Sequence, residues 1–144
     1  MCTVYVVDDD ESPRRGLIRL LNAAGHQARG FASGHELLAL PDDALANACL
    51  ITDARMASMR PAEISALLKK RGLSPVMIMI TADNRPEVRA MASEIGAAAF
   101  FTKPVDGPAL LDTIAWVTRG SGDLSPSIVP QTINQHLAGA QPQT

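Results

Sequence analysis

Asp8-Asp9-Asp10-Glu11, Asp53, Thr81 and Lys103-Pro104 are residue types that can handle phosphoryl groups and hard metal ions, and each follows a short apolar run. Carboxylates gathered in one crevice repel one another and raise one another's pKa values. A hard divalent cation resolves that conflict. Mg²⁺ takes oxygen ligands, keeps some of its waters, and works with one or two carboxylates and a phosphate. An Asp carboxylate can also attack phosphorus and become an aspartyl phosphate. A transferring phosphoryl group spreads negative charge over its oxygens, so positive charge and hydrogen-bond donors must meet it. Mg²⁺ and Lys103 would supply the charge, and the Thr81 hydroxyl a hydrogen bond. Each residue alone has a plainer reading. Asp10 or Ser12 can cap a helix, Thr81 likewise, Asp53 can sit in a turn, and lysines mostly face solvent. It is the order, the spacing and the shared position after strands that speak for one site.

The elements that must position these residues are legible in the same pattern. Residues 3–7, 27–31, 49–52, 76–80 and 98–101 read as strands, and three of them are apolar throughout, as suits strands covered on both faces. Helices lie between them. Pro13, Pro61, Pro86 and Pro108 stand at helix starts, and Gly25, Gly72, Gly96 and Gly120 just past helix ends. The second helix is short: Ser33 and Glu36 have capping-box spacing, and Pro41 stops the run after Leu40. Apolar stripes mark the first helix (Leu17, Leu20, Leu21, Ala24) and the fourth (Val88, Met91, Ala92, Ile95). The expected fold is α/β, a doubly wound parallel sheet of five strands with five helices and right-handed crossovers. Ligands in such sheets bind beyond the carboxyl ends of the strands. In the flavodoxin-like order 2-1-3-4-5, strands one and three are neighbours, which sets Asp8 and Asp9 beside Asp53.

Composition narrows the function. The chain has 144 residues and a formal net charge of −2. That is enough for one domain with its own core, without the basic surplus of a nucleic-acid binder. Cys2 and Cys49 are far apart, and with the scattered His26, His35 and His136 they make no metal-ligand spacing. A reduced, cytoplasmic protein is expected, because there is no signal-peptide pattern and no membrane-length apolar stretch. Residues 120–144 are rich in Ser, Gly, Pro and Gln. They are expected to form a flexible tail after a domain at 1–119, too short for an output domain. Val129, Ile133 and Leu137 recur at four-residue spacing there and could form one docking turn.

Val7-Asp8-Asp9, Asp53 followed by Arg55-Met56, Thr81-Ala82 and Lys103-Pro104 resemble the signature of response-regulator receiver domains, the CheY-like modules of bacterial two-component systems. The resemblance runs over about residues 3–119. It is most like the FixJ-like branch, through Gly30-Phe31-Ala32-Ser33 and Asp53-Ala54-Arg55-Met56. The strand order is expected from that resemblance as well as from the pattern. The resemblance implies that Asp53 accepts the phosphoryl group from a histidine kinase or phosphotransfer protein. Mg²⁺ would be bound by Asp9, by Asp8 directly or through water, by Asp53 and by the backbone carbonyl of Arg55. Lys103 would contact the phosphoryl group. Thr81 would be the switch hydroxyl and Phe100 the switch aromatic, biasing a face built from the fourth helix, fifth strand and fifth helix, through which a homodimer could form. Such a domain is a signalling phosphoacceptor and not an enzyme, catalysing only its own phosphorylation and dephosphorylation. Neither nucleic acid nor membrane is an expected partner.

Two features depart from or refine the pattern. The loop after Asp53 usually runs Met-Pro-x-Met-x-Gly in this family, and here reads Met56-Ala57-Ser58-Met59-Arg60-Pro61. Proline cannot adopt the backbone angles glycine allows, so the loop is expected to take a different path and the helix to start differently. Arg55 and Asp83 stand two residues after the phosphoacceptor and the switch threonine. If they pair across the site mouth they would shield the phosphoryl group from water and slow its loss. Two other readings compete. Asp8-x-Asp10-x-Ser12 looks like the nucleophile motif of haloacid-dehalogenase-type phosphatases, with Asp8 as nucleophile and Asp10 as acid/base. The altered loop also admits a receiver fold used as a binding module independent of phosphorylation. Trp116, on the last helix, could belong to a partner face or share a core stripe with Leu110, Leu111 and Ile114.

Overall fold

In the computed structural model, which describes residues 2–56, 59–82 and 85–118, the apolar runs become a parallel sheet. The strands are β1 (Thr3–Val7), β2 (Gln27–Phe31), β3 (Cys49–Asp53), β4 (Val76–Thr81) and β5 (Ala99–Thr102). They lie in the order β2-β1-β3-β4-β5, as expected. The helices are α1 (Glu11–Ala23), α2 (Gly34–Leu38), α3 (Asp42–Ala46), α4 (Pro61–Lys70), α5 (Pro86–Glu94) and α6 (Gly107–Val117). The expectation of five helices is corrected to six among the described residues. Pro41 does stop α2, but it also takes the N-cap of a further short helix, α3. Its fixed φ near a helical start makes it an opener as well as a stop.

The sheet buries both faces. Val4, Val6, Ile51, Ile78, Ile80 and Phe101 meet Leu17 and Leu21 of α1 and Leu110 and Ile114 of α6. On the other face Tyr5, Val7, Leu50 and Met77 meet Leu37, Leu45, Ile64 and Leu68. Further along that face Met79 and Phe100 pack on Val88 and Ala92 of α5. Side chains alternate along a strand, so adjacent Phe100 and Phe101 enter separate clusters. The stripe expected on α1 is narrower than its spacing suggested: Ala24 is the C-cap and is exposed. Gly25, Gly72 and Gly96 follow α1, α4 and α5 with φ of 96°, 76° and 73°, the left-handed turn that a glycine makes without strain. Gly120, Asp83 and the predicted tail lie outside the described residues.

Three strand ends shift. Asp53 and Thr81 are the last residues of β3 and β4 and do not follow them, and β5 runs 99–102 where 98–101 was expected. Backbone pairing continues past the apolar run: the Ala54 amide donates to the Ile80 carbonyl at 2.7 Å, and the Lys103 amide to the Thr81 carbonyl at 2.7 Å. The functional side chains are thus fixed by sheet register, with Val7 opposite Thr52 and Thr81 opposite Thr102.

Candidate functional site

The carboxyl ends of β1, β3, β4 and β5 bring the expected residues to one edge. Asp8 leaves β1 fully buried, at 0 % exposure. Its Oδ1 accepts the Asp10 amide at 2.9 Å, and its backbone carbonyl accepts from Arg14 Nη1 at 2.6 Å. Asp53 ends β3, and its Oδ1 accepts the Arg55 amide at 3.1 Å. Lys103 reaches in from the end of β5. Its Nζ donates to Asp53 Oδ2 at 3.0 Å and to Asp8 Oδ2 at 3.1 Å. The Lys103-Pro104 peptide is cis.

Asp8, Asp9 and Asp53 offer oxygens that all lie within 4.8 Å of one another. Asp9 is exposed while the other two are buried, so the cluster opens to solvent on the Asp9 side. A set made only of carboxylate oxygens suits a hard divalent cation. Burial pushes the Asp8 carboxyl above its ordinary value, against the Asp10 amide and Lys103, which favour its charge; the neighbouring Asp53 carboxylate adds to the rise. For Lys103 burial works to lower the pKa, but the Asp53 and Asp8 carboxylates outweigh it and the net shift is upward. The ammonium is therefore held charged between two carboxylates.

Thr81 is fully buried at the end of β4. Phe100 is buried on the same side of the sheet, under the guanidinium of Arg89 at 5.7 Å from its ring centroid. Met79 of β4 sits in register with Phe100, so one strand carries both the buried threonine and the aromatic's neighbour. Asp10 caps α1, its Oδ1 accepting the Ser12 amide at 3.3 Å. That is the plain helix-cap role. Trp116 leaves the stripe formed by Leu110 and Ile114 and is half-buried. Arg14 was missed by sequence reasoning. Its partner is a backbone carbonyl at the strand end, for which no residue-type signal exists, although its place on the first turn of α1 puts it within reach.

The response regulator receiver domain model matches residues 4–115 of the chain. The chain belongs to the response-regulator receiver family. Among its relatives is the transcriptional regulatory protein TdiR of Thauera aromatica, 32 % identical over 112 residues, covering 78 % of this chain and 49 % of that protein. FixJ of Azorhizobium caulinodans is 30 % identical over 113 residues, 77 % of this chain and 52 % of its own length. The chain spans about half the length of these curated relatives. In three dimensions it resembles the crystal structure of FixJ-N with a TM-score of 0.73 at 28 % identity, covering 87 % of this chain and 97 % of that one. Receiver domains are signalling domains of two-component systems, not enzymes in the usual sense, and as a family they bind Mg²⁺ at an acidic pocket and interact with histidine kinases or phosphotransfer proteins. This receiver has an aspartate cluster at the corresponding sheet edge. No helix among the described residues is long and apolar enough to cross a membrane.

Pro61, where the resemblance sets a glycine at the end of the loop after Asp53, stands as the first residue of α4. At that position its missing N–H is no loss and its φ suits the helix. The preceding Arg60 is extended, with φ −81° and ψ 157°, as a residue before proline prefers. The substitution is therefore absorbed by where the helix begins. Ala57 and Ser58 lie outside the described residues.

Proposed function

We propose that Asp53 of this receiver is the phosphoacceptor and that the cluster around it catalyses its own phosphorylation. The observation that carries this is the Lys103 ammonium held between Asp53 and Asp8 at 3.0 and 3.1 Å beside three converging carboxylates. In the reaction an Asp53 carboxylate oxygen forms a bond to phosphorus as the donor's bond breaks. A phosphohistidine releases its imidazole, which takes up a proton, and acetyl phosphate releases acetate. Lys103 exchanges one carboxylate contact for a phosphoryl oxygen, and the Thr81 hydroxyl donates to another. Asp8, Asp9, Asp53 and the Arg55 carbonyl would hold Mg²⁺, which when bound offsets the charge of the carboxylates and the phosphoryl group. Arg55 and Asp83 would bracket the phosphoryl group and set its lifetime. Thr81 and Phe100 would relay its presence to the face of α5, β5 and α6, where a second copy or a partner binds. The setting would be cytoplasmic, with a histidine kinase or phosphotransfer protein as donor and no direct contact with nucleic acid.

Intact mass spectrometry after incubation with Mg²⁺ and acetyl phosphate tests this. Wild type gains one phosphoryl group and Asp53→Asn gains none. No gain in wild type, with Mg²⁺ binding also absent, would instead favour the reading as a phosphorylation-independent binding module.

A further inference from the structure

Each polar group of Asp8 is held by a different residue. Its amide donates to the Phe31 carbonyl of β2 at 3.1 Å. Its Oδ1 takes the Asp10 amide at 2.9 Å and its Oδ2 the Lys103 ammonium at 3.1 Å. The remaining group is its carbonyl, which belongs to the peptide leading to Asp9. Arg14 Nη1 donates to that carbonyl at 2.6 Å. Among the described residues the acceptor of this guanidinium is the carbonyl and not a carboxylate. The Arg14 amide closes the first turn of α1 on the Asp10 carbonyl at 3.3 Å. A helical side chain leans back towards the N-terminus, so the guanidinium returns to the strand end the chain has just left. Reaching it takes space on β2. A Cβ on Gly30 would lie 3.1 Å from both Cγ and Cδ of Arg14 and 2.5 Å from Ile18 Cδ1. Gly30 stands inside β2, opposite Val6, and its φ is not in the left-handed region. The backbone there does not ask for glycine, and a glycine within a strand weakens it. What asks for it is the close approach of two α1 side chains, the stem of Arg14 among them.

We propose that Arg14 and Gly30 are positioning residues for the divalent cation: Arg14 fixes the peptide between Asp8 and Asp9 so that both carboxylates converge with that of Asp53, and Gly30 gives Arg14 room to do so. The inference rests on the reading of this cluster as a Mg²⁺ site. Burial holds Asp8 and Asp53, whereas Asp9 is the exposed member of the three. Packing constrains Asp9 least, and the peptide that Arg14 holds sets the direction from which its side chain leaves. A charge-assisted bond to a carbonyl is stronger than a neutral one, which suits a guanidinium to this task. Groups that hold metal ligands in place change affinity by about 10–100-fold when removed. A clamp on the backbone of one ligand belongs at the lower end of that range.

Mg²⁺ is titrated by calorimetry into the full chain without a phosphodonor, and melting is followed separately in EDTA. Arg14→Gln is expected to weaken Mg²⁺ binding about tenfold in protein that is still folded at the titration temperature, and Gly30→Ala to weaken it similarly. The double variant should bind no more weakly than Arg14→Gln alone, because both changes remove the same contact. A merely structural role would lower the melting temperature and leave the affinity of the folded protein unmoved. If Gly30→Ala melts too early to titrate, Arg14→Gln carries the comparison. If Arg14→Gln does, Arg14→Lys takes its place, keeping the charge and losing the fork. Undiminished affinity in a folded Arg14 variant, or losses that add in the double variant, overturns this proposal and leaves the cluster a Mg²⁺ site. Absence of Mg²⁺ binding in wild type overturns the Mg²⁺ reading itself, and this proposal with it.

Discussion

Lys103 sits between two carboxylates that the fold has withdrawn from water: its own side chain is 22 % exposed, that of Asp53 11 % and that of Asp8 0 %. Removing one partner of a buried ionic group leaves the others uncompensated, at about 3–5 kcal/mol for a fully buried pair. Part of this cluster is wet, so Lys103→Ala should lose about 2–3 kcal/mol, below that full-burial range. Urea unfolding at neutral pH without metal reads this directly; a loss within error of zero would mean that water already balances the pair. Asp8 gives a pH signature of the opposite kind. Its folded pKa is raised, burial first among the causes. The folded state therefore binds this proton more tightly, and the favourable term is fully present below the unfolded value of 3.8 and lost as pH rises through the folded one. In EDTA, Asp8→Asn should be more stable than wild type at neutral pH. The gap should close as pH falls towards 3.8. A gap constant over that range would show that Asp8 does not titrate against its burial. Lys103 titrates at the other end: its raised pKa makes its contribution present below 10.5 and lost only above.

At the scale of elements, proline and glycine carried most of the legible information, because each acts through its own backbone and needs no partner. Pro61 and Pro86 open α4 and α5, and Gly72 and Gly96 follow their ends. What was not legible depends on distant partners. The polar residues Asp53 and Thr81 end their apolar runs, so they read as lying past the strand, yet ladder pairing with β4 and β5 keeps them inside it. The helix α3 was hidden because a five-residue segment has too few residues to show a period. What holds it is Arg71, at the end of α4. That guanidinium donates to the Leu38 and Leu40 carbonyls at 2.8 Å each and to Asp42 Oδ1 at 2.6 and 2.8 Å. One side chain thereby joins the end of α2, the start of α3 and the end of α4. Nothing in a sequence pairs positions 71 and 42. Exposed ion pairs contribute little, but carbonyls left without a donor lose more. Arg71→Ala should therefore cost about 1–2 kcal/mol, with faster amide hydrogen exchange in 38–46 and none at the sheet. Uniform exchange changes would assign Arg71 a different role.

The whole molecule is a sheet whose carboxyl edge gathers charge and whose flank on α5, β5 and α6 is, on the proposed reading, the surface offered to a partner. A phosphoryl group on Asp53 can alter that flank only through contacts that differ between two states. The path the fold offers is short. Thr81 ends β4, Met79 of the same strand is in register with Phe100 of β5, and both pack on Val88 and Ala92 of α5. On the proposed reading, a Thr81 hydroxyl drawn towards the phosphoryl group would vacate space on the side of the sheet where Phe100 lies. Reversing a 1:99 equilibrium would need about 5.5 kcal/mol of differential contact, more than one hydrogen bond gives, so on the proposed reading Lys103 would contribute too, by changing partners. Trp116 of α6 is the only tryptophan in the chain. It is half-buried, and its shielded indole N–H finds no acceptor among the described residues. Its emission therefore reports on α6 without an added label. Phosphorylation should shift Trp116 fluorescence in wild type. Thr81→Ala should still gain the phosphoryl mass but lose most of the shift, since the acceptor is intact and the relay is not. An equal shift in both would place the coupling outside Thr81 and leave Lys103 as the group that carries it.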